Sequence, residues 1–219
     1  MQFRFASRLN FVVFPVDPAD LSAQLAAAGY QTSGQQQPVP PVTSRLRLRI
    51  GVVGEIARKD NLTIDMDPDK QILGASGNDI LKVTSAYDEV HRIIEEKMGL
   101  PLSKFASFYE AIGNFEVVTG NNPLMKIAGA STMQEMAKSI GAVLGTDVSP
   151  FTVRVSSRGA VPNQTEWFEI TMEPLIPKSD TTYFVSVVFR SAERDKVVSI
   201  AKSVSGKVKD VIAMIESQS

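Results

Sequence analysis

Thr182-Tyr183-Phe184-Val185-Ser186-Val187-Val188-Phe189-Arg190 places Tyr183, Val185, Val187 and Phe189 at alternate positions. A period of two marks a strand with one face in a core. Directly after it, Val197, Ala201, Val204, Val208, Val211 and Ile215 recur at intervals of four, three, four, three and four. That spacing predicts a long helix, from about Ala192 to Ser217, with one continuous apolar seam. Upstream, Phe151, Val153 and Val155 alternate with polar residues, and so do Phe168, Ile170 and Met172. Three short strands in succession and a closing helix are the pattern of an α+β chain with an antiparallel sheet.

The same order recurs toward the N-terminus. Leu9 to Val16 is apolar on both faces and reads as a covered strand. Asp17-Pro18-Ala19-Asp20 then opens a helix: Asp17 accepts from free amides, and Pro18 has no amide to lose. Tyr30 to Ser44, rich in glutamine and proline, predicts a long loop. Arg45-Leu46-Arg47-Leu48-Arg49-Ile50 alternates as a half-buried strand, and Gly51 and Gly54 suggest a kink. Leu62 to Asp67 alternates again, turns at Pro68, and returns over Gln71 to Ala75. Ser76 to Asp79 has capping-box spacing before a helix over 80–98, with Ile80, Val83, Tyr87, Val90, Ile94 and Met98 on one stripe.

Residues 102–112 fit either a short helix or the start of a strand running from Phe108 to Val118. The expectation is a helical turn and then a strand at about 113–118. A further helix, capped by Ser131, carries Met133, Met136, Ala137, Ile140 and Leu144 inward and closes at Gly145.

Two halves, 1–100 and 101–219, thus share a β-α-β-β-β-α order and are expected to pack as one unit. The economical arrangement is one curved antiparallel sheet with helices on one face. It is similar in outline to the TATA-binding-protein-like and helix-grip folds, with two tandem ferredoxin-like domains as the alternative. These are likenesses of topology and carry no function.

Composition narrows the chemistry. The 219 residues include 23 Lys plus Arg, 24 Asp plus Glu, one His, one Trp and no Cys, for a formal charge of −1. Without cysteine there is no disulfide, thiolate ligand or cysteine nucleophile. One histidine excludes a multi-histidine metal site within a chain. Near-neutrality gives no global attraction to polyanions. No apolar run reaches membrane-helix length, and the N-terminal stretch reads as a strand rather than an export signal, so a cytoplasmic protein is expected.

Asp65-Met66-Asp67-Pro68-Asp69 opens like a calcium loop, but Lys70 stands where the sharp turn needs glycine and Ser76 where a glutamate is needed. A turn is expected, with Asp65 and Asp67 on a solvent face. Gly74-Ala75-Ser76-Gly77 lacks the lysine of a phosphate loop. His91 is expected on a helix flank, paired with Glu95 or Asp88. Tyr109, Glu110 and Glu116 are read as surface groups. No catalytic, metal or cofactor-binding residue is assigned, and the balance leans away from an enzyme.

Partner-binding candidates come from the strand faces. Alternation sends Trp167, Phe184 and Val188 to the face opposite the apolar set, with Arg190 beside them. Exposed aromatics next to an arginine suit an interface. The leading expectation is therefore a non-catalytic interaction or scaffold protein binding a second copy or another protein through that outer face. A helix-grip-type small-ligand carrier is the alternative, motivated by the long last helix and by Met125, Met133 and Met136. A third is a nucleic-acid-binding saddle using Arg45, Arg47, Arg49, Arg154 and Arg158. Pairing of these arginines with Asp65, Asp67, Glu169 and Glu173 across strands explains them without a polyanion.

Overall fold

The computed structural model describes residues 1–11, 14–32, 54–159 and 161–217. Over these the chain is α+β, with nine strands and five α-helices. It divides into two compact units. Each strand pairing whose register is defined is antiparallel.

The first unit holds Gln2–Glu110 together with Ala192–Arg194. Its elements are β1 (Gln2–Leu9), α1 (Pro18–Ala27), β2 (Gln31–Thr32), β3 (Glu55–Lys59), β4 (Leu62–Asp67), β5 (Ile72–Gly77) and α2 (Ile80–Lys97). The sheet order is β2-β3-β4-β5-β1. The first strand lies earlier than the sequence suggested, at 2–9 instead of 9–16. Phe3, Phe5, Ser7 and Leu9 form its inward set, and all four are buried. The more apolar run that follows is not a strand where it is described: Phe11 stacks against Phe105 with ring centroids 4.3 Å apart, and its amide donates to Gln71 Oε1. The arginine comb at 45–49 falls outside the described residues.

Helix α1 starts as expected, with the Asp17 carboxylate accepting from the Ala19 amide and Pro18 in the first turn. Helix α2 buries Val83, Tyr87, Val90 and Ile94 against β1, β4 and β5. Its cap is Asp79, which accepts from the Leu81 and Lys82 amides. Ser76, expected in that cap, is instead a residue of β5.

The second unit holds Ala111–Ser191 and Asp195–Ser219. Strand β6 (Ala106–Val118) is common to both units, its residues from Ala111 belonging to the second. The expected helical turn shrinks to a 3-10 turn at Leu102–Lys104, and the strand is long. After it come α3 (Pro123–Gly129), α4 (Ser131–Leu144), β7 (Val153–Ser156), β8 (Trp167–Pro174), β9 (Thr182–Ser191) and α5 (Arg194–Ser217). Helix α3 escaped the sequence reading because Gly120 to Pro123 looked like a break. Asn122, at φ 51°, instead caps it by accepting from the Met125 amide. Strand β9 pairs with β8 and β8 with β7, leaving β7 at the edge.

Helix α5 buries Val197, Ala201, Val204, Val208 and Ile212. Gly206 sits on its exposed side, and a Cβ there would meet nothing within 4 Å. Gly206→Ala is expected to raise stability by about 0.5–1 kcal/mol through helix propensity alone. Urea unfolding of the two proteins checks this; an unchanged or lower midpoint contradicts it.

Candidate interaction surface

The outer face of β8 and β9 was the expected site, and its register is as alternation requires. Trp167 faces Arg190, Glu169 faces Val188 and Glu173 faces Phe184. Burial differs. Trp167 is only 7% exposed, covered by its own chain. Arg190 explains much of the arrangement at this end: its Nη1 donates to the Pro162 and Gln164 carbonyls at 2.7 and 3.1 Å. Glu166 accepts from Ser191 Oγ and pairs with Lys196 at 3.0 Å. The β7–β8 connection is thereby tied back beside the tryptophan. Trp167 is not an exposed anchor, while Phe184 and Val188 remain partly exposed.

Of the basic candidates, only Arg154 and Arg158 fall within the described residues. Arg154 donates to Glu169 across the β7–β8 pair at 2.7 Å, and this contact raises its pKa. Arg158 is exposed in the connection that follows. Asp65 and Asp67, expected in solvent, are buried, at 2% and 7% exposure. Asp65 receives a two-pronged contact from Arg4, and Asp67 accepts from the Lys70 amide at 3.0 Å within the turn. Neither is arranged as a metal ligand, and the described residues contain no acid and histidine cluster suited to a metal.

His91 lies on the flank of α2, with Nδ1 3.6 Å from Glu95 Oε2. It lines a cavity of about 180 Å³ with Asp88, Glu95, Ser103, Tyr109 and Arg194. Ser103 donates both its amide and its hydroxyl to Glu95 Oε1, and Arg194 pairs with Asp88. Serine and histidine thus converge on the same carboxylate. The serine hydroxyl donates to the carboxylate rather than to the imidazole. Burial pushes His91 below the ordinary histidine range, against the pull of Glu95 and Asp88. Burial pushes Glu95 up, but the Ser103 bonds and the His91 and Lys104 charges outweigh it and hold the carboxyl low. Both groups bind protons less readily folded than unfolded. Their stabilising contribution is therefore complete above pH 6.5 and falls as pH drops, first through His91 and then below 4.5 through Glu95. The midpoint of urea unfolding should accordingly decline from pH 7 to pH 5, and His91→Gln should flatten that decline. An equal decline in the variant contradicts this role.

Helix α4 is the feature that sequence reasoning placed wrongly. Met133, Met136, Ala137, Ile140, Val143 and Leu144 fall on one stripe, which normally faces a core. Only Ala137 is buried. Met136 is 62% exposed, Ile140 44%, Val143 86% and Leu144 63%. The helix packs beside the short α3, and among the described residues Met136, Ile140, Val143 and Leu144 keep their exposure. The chain then reverses tightly. Gly145, at φ 68°, ends the helix, and Thr146 donates its amide back to the Gly141 carbonyl. A Cβ on Gly141 would stand 2.8 Å from the Thr146 carbonyl oxygen, so only glycine admits this return. Residues 148–152 consequently run beside α4 and leave an open groove of about 340 Å³. Met133, Met136, Ile140, Val148 and Pro150 line it. Phe151 and Val155, next along the chain and on the edge strand, are also exposed.

No protein-family model, curated protein or solved structure matches this chain. No helix of the described residues is long and apolar enough to cross a membrane.

Proposed function

We propose that this chain is a non-catalytic interaction protein whose contact surface is the apolar stripe of α4 with its flanking groove. The supporting observation is the exposure of Met136, Ile140, Val143 and Leu144 on one helix face. A contiguous apolar patch of this size is as large as the largest patch a monomer ordinarily carries, and such patches are often functional. Covering roughly 500 Å² of it gains on the order of 10 kcal/mol before association costs of similar size. The reading keeps the expected class of function and moves the surface away from Trp167, which the fold encloses. Phe184 and Val188 stay available as a smaller, secondary patch.

The small-ligand alternative draws support from the same groove, whose volume lies in the range of ligand sites. Its open side and its largely apolar lining, with Ser149 and Thr152 as the polar members, favour a macromolecular surface instead. The expected β-α-β-β-β-α repeat appears as β-α-β-β-β-β-α in the first unit and β-α-α-β-β-β-α in the second. This shared outline, a strand and helix followed by antiparallel strands and a closing helix, supports as inference an internal duplication of helix-grip outline; a cytoplasmic setting stays part of the proposal.

A photoreactive residue at position 143 tests the reading in cells that make the protein. Adducts are expected from that position, none from position 135 on the other side of α4, and loss of the adducts on Ile140→Glu. Absence of any adduct at position 143 would sink the proposal.

A further inference from the structure

We infer that the occupant of this surface is a second copy of the chain, with α4 packed antiparallel against its twin about a two-fold axis. The inference rests on the interaction reading above and names the partner.

The first argument is spacing. Met133, Met136, Ile140 and Val143 follow one another at intervals of three, four and three, the a and d positions of a two-helix seam. Ala137 and Leu144 widen it on one side. The two charged residues of α4, Glu135 and Lys138, lie off this stripe. The seam can therefore meet itself without placing like charges together.

The second argument is the offset between protrusion and recess. Val143 and Leu144 are the most exposed apolar residues at the C-terminal end of α4. The groove lies toward its N-terminal half, between Met133, Met136 and Ile140 and the returning residues 148–150. One to two helical turns, roughly 5–10 Å, separate the two features. An antiparallel two-fold puts the protrusion of each copy into the recess of the other, so both are satisfied at once. This is the condition for a closed pair rather than an open chain of molecules.

The third argument is area. The exposed parts of Met136, Ile140, Val143 and Leu144 give about 1,000 Å² over two copies, at the lower limit for a specific interface. The pair is therefore expected to be reversible, with dissociation in the micromolar range. A lipid surface is disfavoured because α4 carries only one basic residue, whereas surface-lying helices are rich in them.

Sedimentation equilibrium of the full chain from 5 to 500 µM (a range set to bracket about micromolar dissociation) tests this. The expected mass rises with concentration from the 23.8 kDa of the monomer toward twice that value. Val143→Lys and Met136→Glu should each hold the protein at the monomer mass over the range. Both sites are exposed, so unchanged circular dichroism and urea midpoint establish that the variants are folded. The double variant carries Lys on each protrusion and Glu in each recess. It should dimerise again, and 0.5 M salt should undo this as screening demands (a Debye length on the order of 4 Å). A wild type that stays monomeric at 500 µM overturns the inference, as does a double variant that stays monomeric while the wild type dimerises. If the wild type is monomeric yet cross-links from position 143 to a different protein in cells, the interaction reading stands and self-pairing is wrong. Binding of the monomer to neutral or anionic phospholipid vesicles through α4, without dimerisation, overturns it equally.

Discussion

Asp65→Ala is expected to remove about 3–5 kcal/mol of folding stability, because it leaves the Arg4 guanidinium buried without its counter-charge. Arg4 reaches from β1 across β5 to β4. Its Nε and Nη2 stand 3.2 and 2.5 Å from the two Asp65 oxygens. What lets it cross is Gly74: a Cβ there would lie 2.8 Å from Arg4 Nη2 and 3.0 Å from Asp65 Oδ1. The side chains are 11% and 2% exposed, so water cannot replace either partner. Removing both charges should be far milder. The double variant Arg4→Met with Asp65→Leu is expected to recover most of the loss, since a buried pair contributes little beyond a well-packed apolar replacement. Urea unfolding of the single and double variants gives the coupling directly. A single variant with wild-type stability would show that water or another group serves Arg4.

Phe5→Ala is expected to cost a similar amount, about 3–5 kcal/mol, through the cavity it opens. Phe5 is fully buried in the first unit. Its ring stands edge-on to Tyr87 at 4.9 Å and stacks with Tyr109 at 6.3 Å. Tyr87 in turn donates its hydroxyl to Ser7 Oγ at 2.7 Å, so a strand residue and a helix residue are joined by both packing and a hydrogen bond. The two contributions separate by substitution. Tyr87→Phe keeps the ring and deletes the bond, which is expected to cost only about 1–2 kcal/mol. Equal losses for Phe5→Ala and Tyr87→Phe would mean that the hydroxyl, not the aromatic packing, holds α2 to β1.

Particular elements show how far sequence reading reached. Helices α1, α2, α4 and α5 and strands β4, β8 and β9 were legible because local periodicity and caps at Asp17 and Gly145 act over a few residues. Strand β6 was misread at its start. Phe105, Phe108 and Ile112 satisfy helical spacing as well as Tyr109, Ala111 and Phe115 satisfy alternation, and only pairing with strands distant in sequence decides between them. The position of β1 was missed for a related reason. Arg4 breaks its apolar pattern on one face, and the partner that makes a buried arginine acceptable lies 61 residues away.

The candidate site divides the same way. From the sequence alone came an α+β chain, an antiparallel sheet, an amphipathic helix ending at Gly145, and the absence of cysteine and of a histidine cluster. These follow from composition and from periodicities of 2 and 3.6, which each segment carries within itself. Only the tertiary structure decided which apolar faces find cover. Trp167 sits beside a connection anchored by Arg190 and is enclosed, while among the described residues the stripe of α4 stays open. A helix encodes that it has an apolar face; whether the same chain covers that face depends on where the glycine turns at 141 and 145 send the residues that follow.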